Sequence, residues 1–206
     1  MLLLVFSAHP DDAESCVGGS ILHSRSKGYK VLIVHMTAEP ENRVEEAKKA
    51  AKILDVDVEF LGFKEGDIPV DKKSLEVVKE FIKKKNPDVI FTHWPLDFHP
   101  DHQTTGILVL RALNSLEGEI EAELYFYEAC TGYQTYYFHP NVYFDITPYR
   151  ELKKKAVFCH ASQKPENWYR IHETMMKFRG MESGNLYAEA LIKLAFRKKN
   201  VRDKIL

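Results

Sequence analysis

A chain of 206 residues, 45% hydrophobic and 29% charged, has the composition of one globular domain long enough to bury its own core, far from that of a disordered chain. A formal net charge of −1 provides no basic field for nucleic acid, and no run reaches the roughly 18 apolar residues of a membrane-spanning helix. Cys16, Cys130 and Cys159 are widely separated and lack C-x-x-C spacing, which argues against a disulfide framework or a thiolate metal site and suits a reducing cytoplasm.

Residues 1–6 are apolar, lack a cationic flank and run straight into His9-Pro10-Asp11-Asp12, so they read as a buried strand rather than a leader. Short runs rich in Val, Ile and Phe then alternate with segments of helical period. Strands are expected near 2–8, 30–36, 57–61 and 88–93, and helices near 18–28, 41–54, 71–86 and 103–115. Val44, Ala47, Ala51 and Leu54 fall on one helical face, as do Leu75, Val78, Phe81 and Ile82. The strands between them are nearly continuous hydrophobic runs, as expected where helices cover both faces of a parallel sheet. Residues 120–146 read as further strands, and the lysine- and arginine-rich stretch from 148 to the end reads as helices. No linker or repeat divides the chain, so a single α/β domain over 1–206 is expected. In such open sheets ligands bind beyond the carboxyl ends of the strands, which directs attention to residues 9–12, 37–42 and 94–102.

Two of those loops concentrate histidine and carboxylate around proline: His9-Pro10-Asp11-Asp12-Ala13-Glu14 and His99-Pro100-Asp101-His102. Either alone could be a turn or a helix cap; both at strand ends of one sheet point to a metal site. Imidazole and carboxylate are zinc ligands, and a catalytic zinc keeps three protein ligands with one position open. A turn can bring His9 and Asp12 to one point, leaving Asp11 aimed elsewhere and suited to accept a proton from an activated water. In the second segment one histidine can complete the metal site while the other faces substrate, with a nearby aspartate holding it protonated.

These residues resemble the LmbE-like, or PIG-L-type, N-acetylglucosaminyl deacetylase family, whose signatures stand here as Ala8-His9-Pro10-Asp11-Asp12-Ala13-Glu14 and His99-Pro100-Asp101-His102. Weaker matches are Gly18-Gly19, Thr37 with Arg43 and Glu46, His160-Ala161-Ser162-Gln163 and Tyr187-Ala188-Glu189. The loop Thr37-Ala38-Glu39-Pro40 departs from the family, which usually has glycine before the glutamate. The resemblance implies a Rossmann-like fold, one Zn2+ per chain held by His9, Asp12 and His102, Asp11 as general base, and His99 as oxyanion stabiliser or acid, with Asp101 beside it. It also implies a small N-acetylated amino-sugar substrate and an Arg43 contact to it.

Nine of the twenty residues from 125 to 144 are Phe or Tyr, a density that suits core strands, sugar-stacking faces or the anchors of a homo-oligomer interface. His23, His35, His93 and His172 have no companion acid at ligand spacing and read as helix-surface or strand-end residues. Competing readings are a non-catalytic sugar-binding module, a metal phosphohydrolase and an iron oxygenase on the same ligand set. The lone carboxylate of Asp11 beside the ligands favours catalysis, since a pure binder needs no base there.

Overall fold

The computed structural model describes residues 1–194. Seven strands form one sheet: β1 (Leu2–Ser7), β2 (Lys30–Thr37), β3 (Asp57–Phe63), β4 (Val89–His93), β5 (Glu123–Tyr127), β6 (Val142–Asp145) and β7 (Ala188–Lys193). Their spatial order is β3-β2-β1-β4-β5-β7-β6. The first five run parallel, and β7 inserts antiparallel between β5 and β6. The expected helix over the last of these residues is therefore corrected. Ala188–Lys193 is too short to bury a helical face and instead fills a sheet position through backbone pairing. The rest of that basic stretch, 195–206, lies outside the described residues.

Alternation along the strands sorts the core into two layers. Leu3, Val5, Ile33, Phe91 and Tyr125 face α1 (Asp12–Ser26), α2 (Glu41–Leu54), α5 (Arg150–Val157) and α6 (Pro165–Ser183). Leu4, Phe6, Val34, Ile90 and Phe126 face α3 (Lys72–Lys85) and α4 (Pro100–Ser115). With both faces covered, the inner strands carry apolar side chains in both directions, which is why they read as continuous runs.

Two helix starts differ from expectation for identifiable reasons. Helix α4 begins at Pro100 rather than near 103: proline suits the first turn, where its missing N–H has no partner to lose, and the His99 ring caps it by accepting the Asp101 N–H at 3.2 Å. Helix α1 begins at Asp12 but is broken at Val17, whose φ of −134° is not helical. The expected start at 18 marks its second segment. There the Glu189 carboxylate of β7 accepts the N–H groups of Gly19 (2.9 Å) and Ser20 (2.7 Å) and the Ser20 hydroxyl (2.6 Å), acting as the anion that a helix N-terminus favours. The buried Lys153 ammonium pairs with the same carboxylate.

The order of strands reverses between β1 and β4, the switch point where open α/β sheets place ligands. Tight packing fixes the end of β4: a Cβ on Gly106 of α4 would lie 2.4 Å from the His93 carbonyl oxygen. Gly106→Ala should lower stability by about 1–3 kcal/mol through overpacking, seen as an earlier urea midpoint with an unchanged m-value.

Candidate metal and catalytic site

His9 follows β1, His93 ends β4, and His99 and His102 lie at the start of α4. The four imidazoles converge: ring centroids are 4.7 Å apart for His9 and His99, 4.8 Å for His99 and His102, and 4.0 Å for His93 and His102, the last two pairs stacked. Asp12 sits among them. Its Oδ2 is 3.3 Å from His9 Nδ1 and its Oδ1 is 3.4 Å from His102 Nε2, and the His9 backbone N–H donates to Oδ2 at 2.8 Å. Two overlapping triads have ligand atoms within 4.8 Å of one another, His9–His99–His102 and Asp12–His93–His102.

The remaining nitrogens decide which atoms are available to a metal. His9 Nε2 is 2.9 Å from Asp101 Oδ2, and His102 Nδ1 is 3.0 Å from Asp97 Oδ1. A metal-binding histidine usually gives its second N–H to a carboxylate in this way, which fixes the tautomer and turns the other lone pair inward. His9 Nδ1 and His102 Nε2 each lie beside one oxygen of Asp12, donors of the kind zinc takes, while the groups with all ligand atoms within 4.8 Å join them instead to His99 or His93. His93 is different: its Nε2 lone pair accepts the Ala8 N–H at 3.1 Å, so it supports rather than offers a ligand. Asp12 Oδ2 lies 3.4 Å from the same His93 nitrogen, a neighbour not legible along the chain because the two residues are distant in sequence and the β1–β4 pairing unites them.

Protonation follows the same contacts. Burial alone would lower His9 and His102, yet the carboxylates raise them, His9 to about 9 through Asp101 and Asp12, and His102 to about 10 through Asp12 and Asp97. Asp12 is correspondingly held well below the usual carboxylate range against the effect of its burial, chiefly by His102. These are the charges a divalent cation would replace.

Asp101 corrects one expectation. Its carboxylate turns to His9 and to the N–H groups of Gly66 (2.6 Å) and Ile68 (3.4 Å), not to the ring of His99. His99 is instead lowered, by burial and by the neighbouring His9, and its Nδ1 accepts a backbone proton, so Nε2 carries the proton of the neutral ring. Asp97 was absent from the expected set, although it lies in the 94–102 loop. It accepts from His99 N–H (2.9 Å), Thr135 Oγ1 (2.9 Å) and His102. Asp97→Ala should weaken zinc binding by about 10–100-fold, measured by competition with a chromogenic chelator.

The Asp11 carboxylate has a different partner from that of Asp12. The residue's φ of 143° is a conformation L-residues rarely adopt and that costs on the order of 1–3 kcal/mol, and it sends two consecutive carboxylates to different partners. Asp11 Oδ1 accepts from Arg43 Nη2 at 2.9 Å. Burial and the adjacent Asp12 push it up to about 6, with Arg43 opposing. Arg43, expected at the substrate, is itself buried and its guanidinium also donates to the Pro10 carbonyl (3.2 Å) and Glu65 (2.7 Å). Behind this layer the fully buried His160 stands 3.6 Å from Glu14, and Ser162 binds Glu46 of α2 through its N–H (2.9 Å) and hydroxyl (2.6 Å).

The family model described as GlcNAc-PI de-N-acetylase (PIG-L) matches residues 4–113, which contain every residue of the two histidine segments. The chain belongs to the PIG-L family. The diacetylchitobiose deacetylase of Thermococcus kodakarensis is 29% identical to it over 92% of this chain and 81% of its own length. A probable N-acetyl-alpha-D-glucosaminyl L-malate deacetylase 2 of Bacillus anthracis is 25% identical over 79% of this chain and 80% of its own. The 4-carboxy-2-hydroxymuconate hydratase of Pseudomonas putida superposes with a TM-score of 0.84 at 23% identity, covering 98% of this chain and 99% of that one. The PIG-L fold thus also carries a reaction other than deacetylation, and the fold by itself does not fix the chemistry.

Proposed function

We propose that this chain is a zinc-dependent N-deacetylase of an N-acetylglucosamine-type sugar. The observation that carries the reading is the division of two adjacent carboxylates between partners: Asp12 faces His9 and His102, while Asp11 pairs with Arg43. One carboxylate suits a ligand and the other a base, a division that a simple binding module does not need. Membership of a family whose relatives include sugar deacetylases supports the choice of amide.

In this reading His9, Asp12 and His102 hold the ion, with Asp101 and Asp97 orienting the two rings. Zinc bound there would supply Lewis acidity toward the acetyl carbonyl and toward water. Asp11 takes the proton of the attacking water as the carbonyl carbon becomes tetrahedral. His99, through Nε2–H, donates a hydrogen bond to the developing oxyanion. Arg43 fixes the direction of the Asp11 carboxylate, and the proton that Asp11 gains is available to the departing amine. The same water-activating set would also serve addition of water to an unsaturated acid, the reaction named for the hydratase with this fold.

The deciding experiment is amine release from N-acetylglucosamine compounds by metal-stripped protein with and without added zinc. Release that depends on zinc is expected. Hydration of a conjugated dicarboxylate with no amide cleavage would replace the proposal with the hydratase reading.

No helix among the described residues is long and apolar enough to cross a membrane. The three cysteines are free thiols, in keeping with the proposed cytoplasmic setting.

A further inference from the structure

The loop between β3 and α3 reaches the candidate site at two points. Gly66 N–H donates to Asp101 Oδ2 (2.6 Å), the same oxygen that faces His9 Nε2, and the Glu65 carboxylate accepts from Arg43 Nη1 (2.7 Å). The loop is itself fixed. Ile68 is buried in the layer beneath α3 and α4, Glu65 N–H donates to Glu39 Oε1 (3.1 Å), and the φ of 77° at Gly66 belongs to the region that favours glycine. Glu65 has no part in the proton transfers proposed above.

We propose that Glu65 is a positioning residue for the general base: by engaging one arm of the Arg43 guanidinium it holds that group to a single bond with Asp11 and keeps the second carboxylate oxygen open to the proton of the attacking water. The assignment rests on the deacetylase reading above, in which Asp11 is that base. A guanidinium is a planar fork that can grip a carboxylate through two parallel bonds. Here only one arm reaches Asp11. Nη2 donates to Asp11 Oδ1 (2.9 Å) and to the Pro10 carbonyl (3.2 Å), while Nη1 is drawn to Glu65. Among the described residues no hydrogen bond reaches Asp11 Oδ2. A two-armed grip would occupy both oxygens and make Asp11 an anchor rather than a base.

Two features let Glu65 decide between these poses. The Arg43 side chain is 8% exposed and its Nε has no hydrogen-bond partner among the described residues, so the guanidinium already carries one unanswered buried donor. Removing the Glu65 acceptor adds a second, a costly state that a turn toward Asp11 relieves. Glu65 also stands apart from the candidate ligands: among the described residues its one ion-pair partner is Arg43, so its loss leaves the donors around Asp12 in place.

The test is a double-mutant cycle on amine release from N-acetylglucosamine compounds by zinc-loaded protein, joined to crystal structures. Glu65→Ala should lower kcat about 10–100-fold, the scale of a misdirected catalytic group, with KM and zinc stoichiometry near native values. Glu65→Gln, whose amide oxygen can still accept from Nη1, should lose less. In an Arg43→Ala background the further change Glu65→Ala should alter kcat by less than about twofold, because the route from Glu65 to Asp11 is already cut. A full additional loss there, or native kcat in Glu65→Ala alone, would overturn the proposal. The second readout needs no turnover. A crystal structure of Glu65→Ala should show both Nη atoms of Arg43 on Asp11; the one-armed pose retained would overturn the proposal. The two-armed pose in that variant, with no amine released by the native protein under zinc, would sustain the control of Arg43 by Glu65 and overturn the deacetylase reading alone.

Discussion

Asp11→Asn should lower kcat by about 10²–10⁴-fold, the range removed with a general acid–base group, while zinc stoichiometry and thermal stability stay near those of the native protein. The amide keeps the shape of the side chain and can still accept a hydrogen bond from Arg43, 2.9 Å away, but it cannot take a proton. Because Asp12, His9 and His102 are untouched, metal content separates a lost base from a lost ligand. Single-turnover rates and metal analysis on one preparation make the check. Turnover near the native level would remove Asp11 from the chemistry. Arg43→Ala, which frees the same carboxylate from its anchor, should likewise act on kcat more than on KM, since the guanidinium is engaged with Asp11, Pro10 and Glu65.

Glu189→Gln should destabilise the fold by about 3–5 kcal/mol, the cost of leaving a buried charge without its partner. At roughly 2–4 °C per kcal/mol for a domain of this size, the melting temperature should fall by about 6–20 °C. Lys153 is fully buried and Glu189 only 4% exposed, so water cannot take the place of the carboxylate. The new NH2 group would also face one of the two α1 N–H donors that Glu189 now satisfies. A shift under 2 °C in a thermal melt would show that this pair is solvated in practice.

How far the sequence revealed this depended on whether a partner lies close along the chain. The parallel strands and most helices were legible because each has its own period, and the two histidine segments because each is contiguous. His93 was not, since its contact with Asp12 arises through the β1–β4 pairing; Asp97 lies only five residues before His102, but its role depends on a loop conformation that carries no period or motif. Strand β7 was missed for the same reason: its six residues carry little local preference, and its place between β5 and β6 is set by sheet edges formed elsewhere. Tyr125, Phe126, Tyr127 and Phe144 are buried while Tyr133, Tyr136 and Tyr137 are exposed, so the aromatic stretch is two populations that composition merges into one. The weak family matches become intelligible in space. Gly19 binds Glu189, Glu46 binds Ser162 and Glu14 faces His160.

Every candidate metal ligand precedes β5, whereas Tyr136 and Tyr137 come after it. The candidate ligands are anchored at the switch between β1 and β4, and the 128–141 connection reaches them through Thr135 and Asp97. Surface connections tolerate sequence change far better than the elements they join, so apart from Thr135 the 128–141 stretch is free to diverge while the histidine segments at the switch point stay fixed.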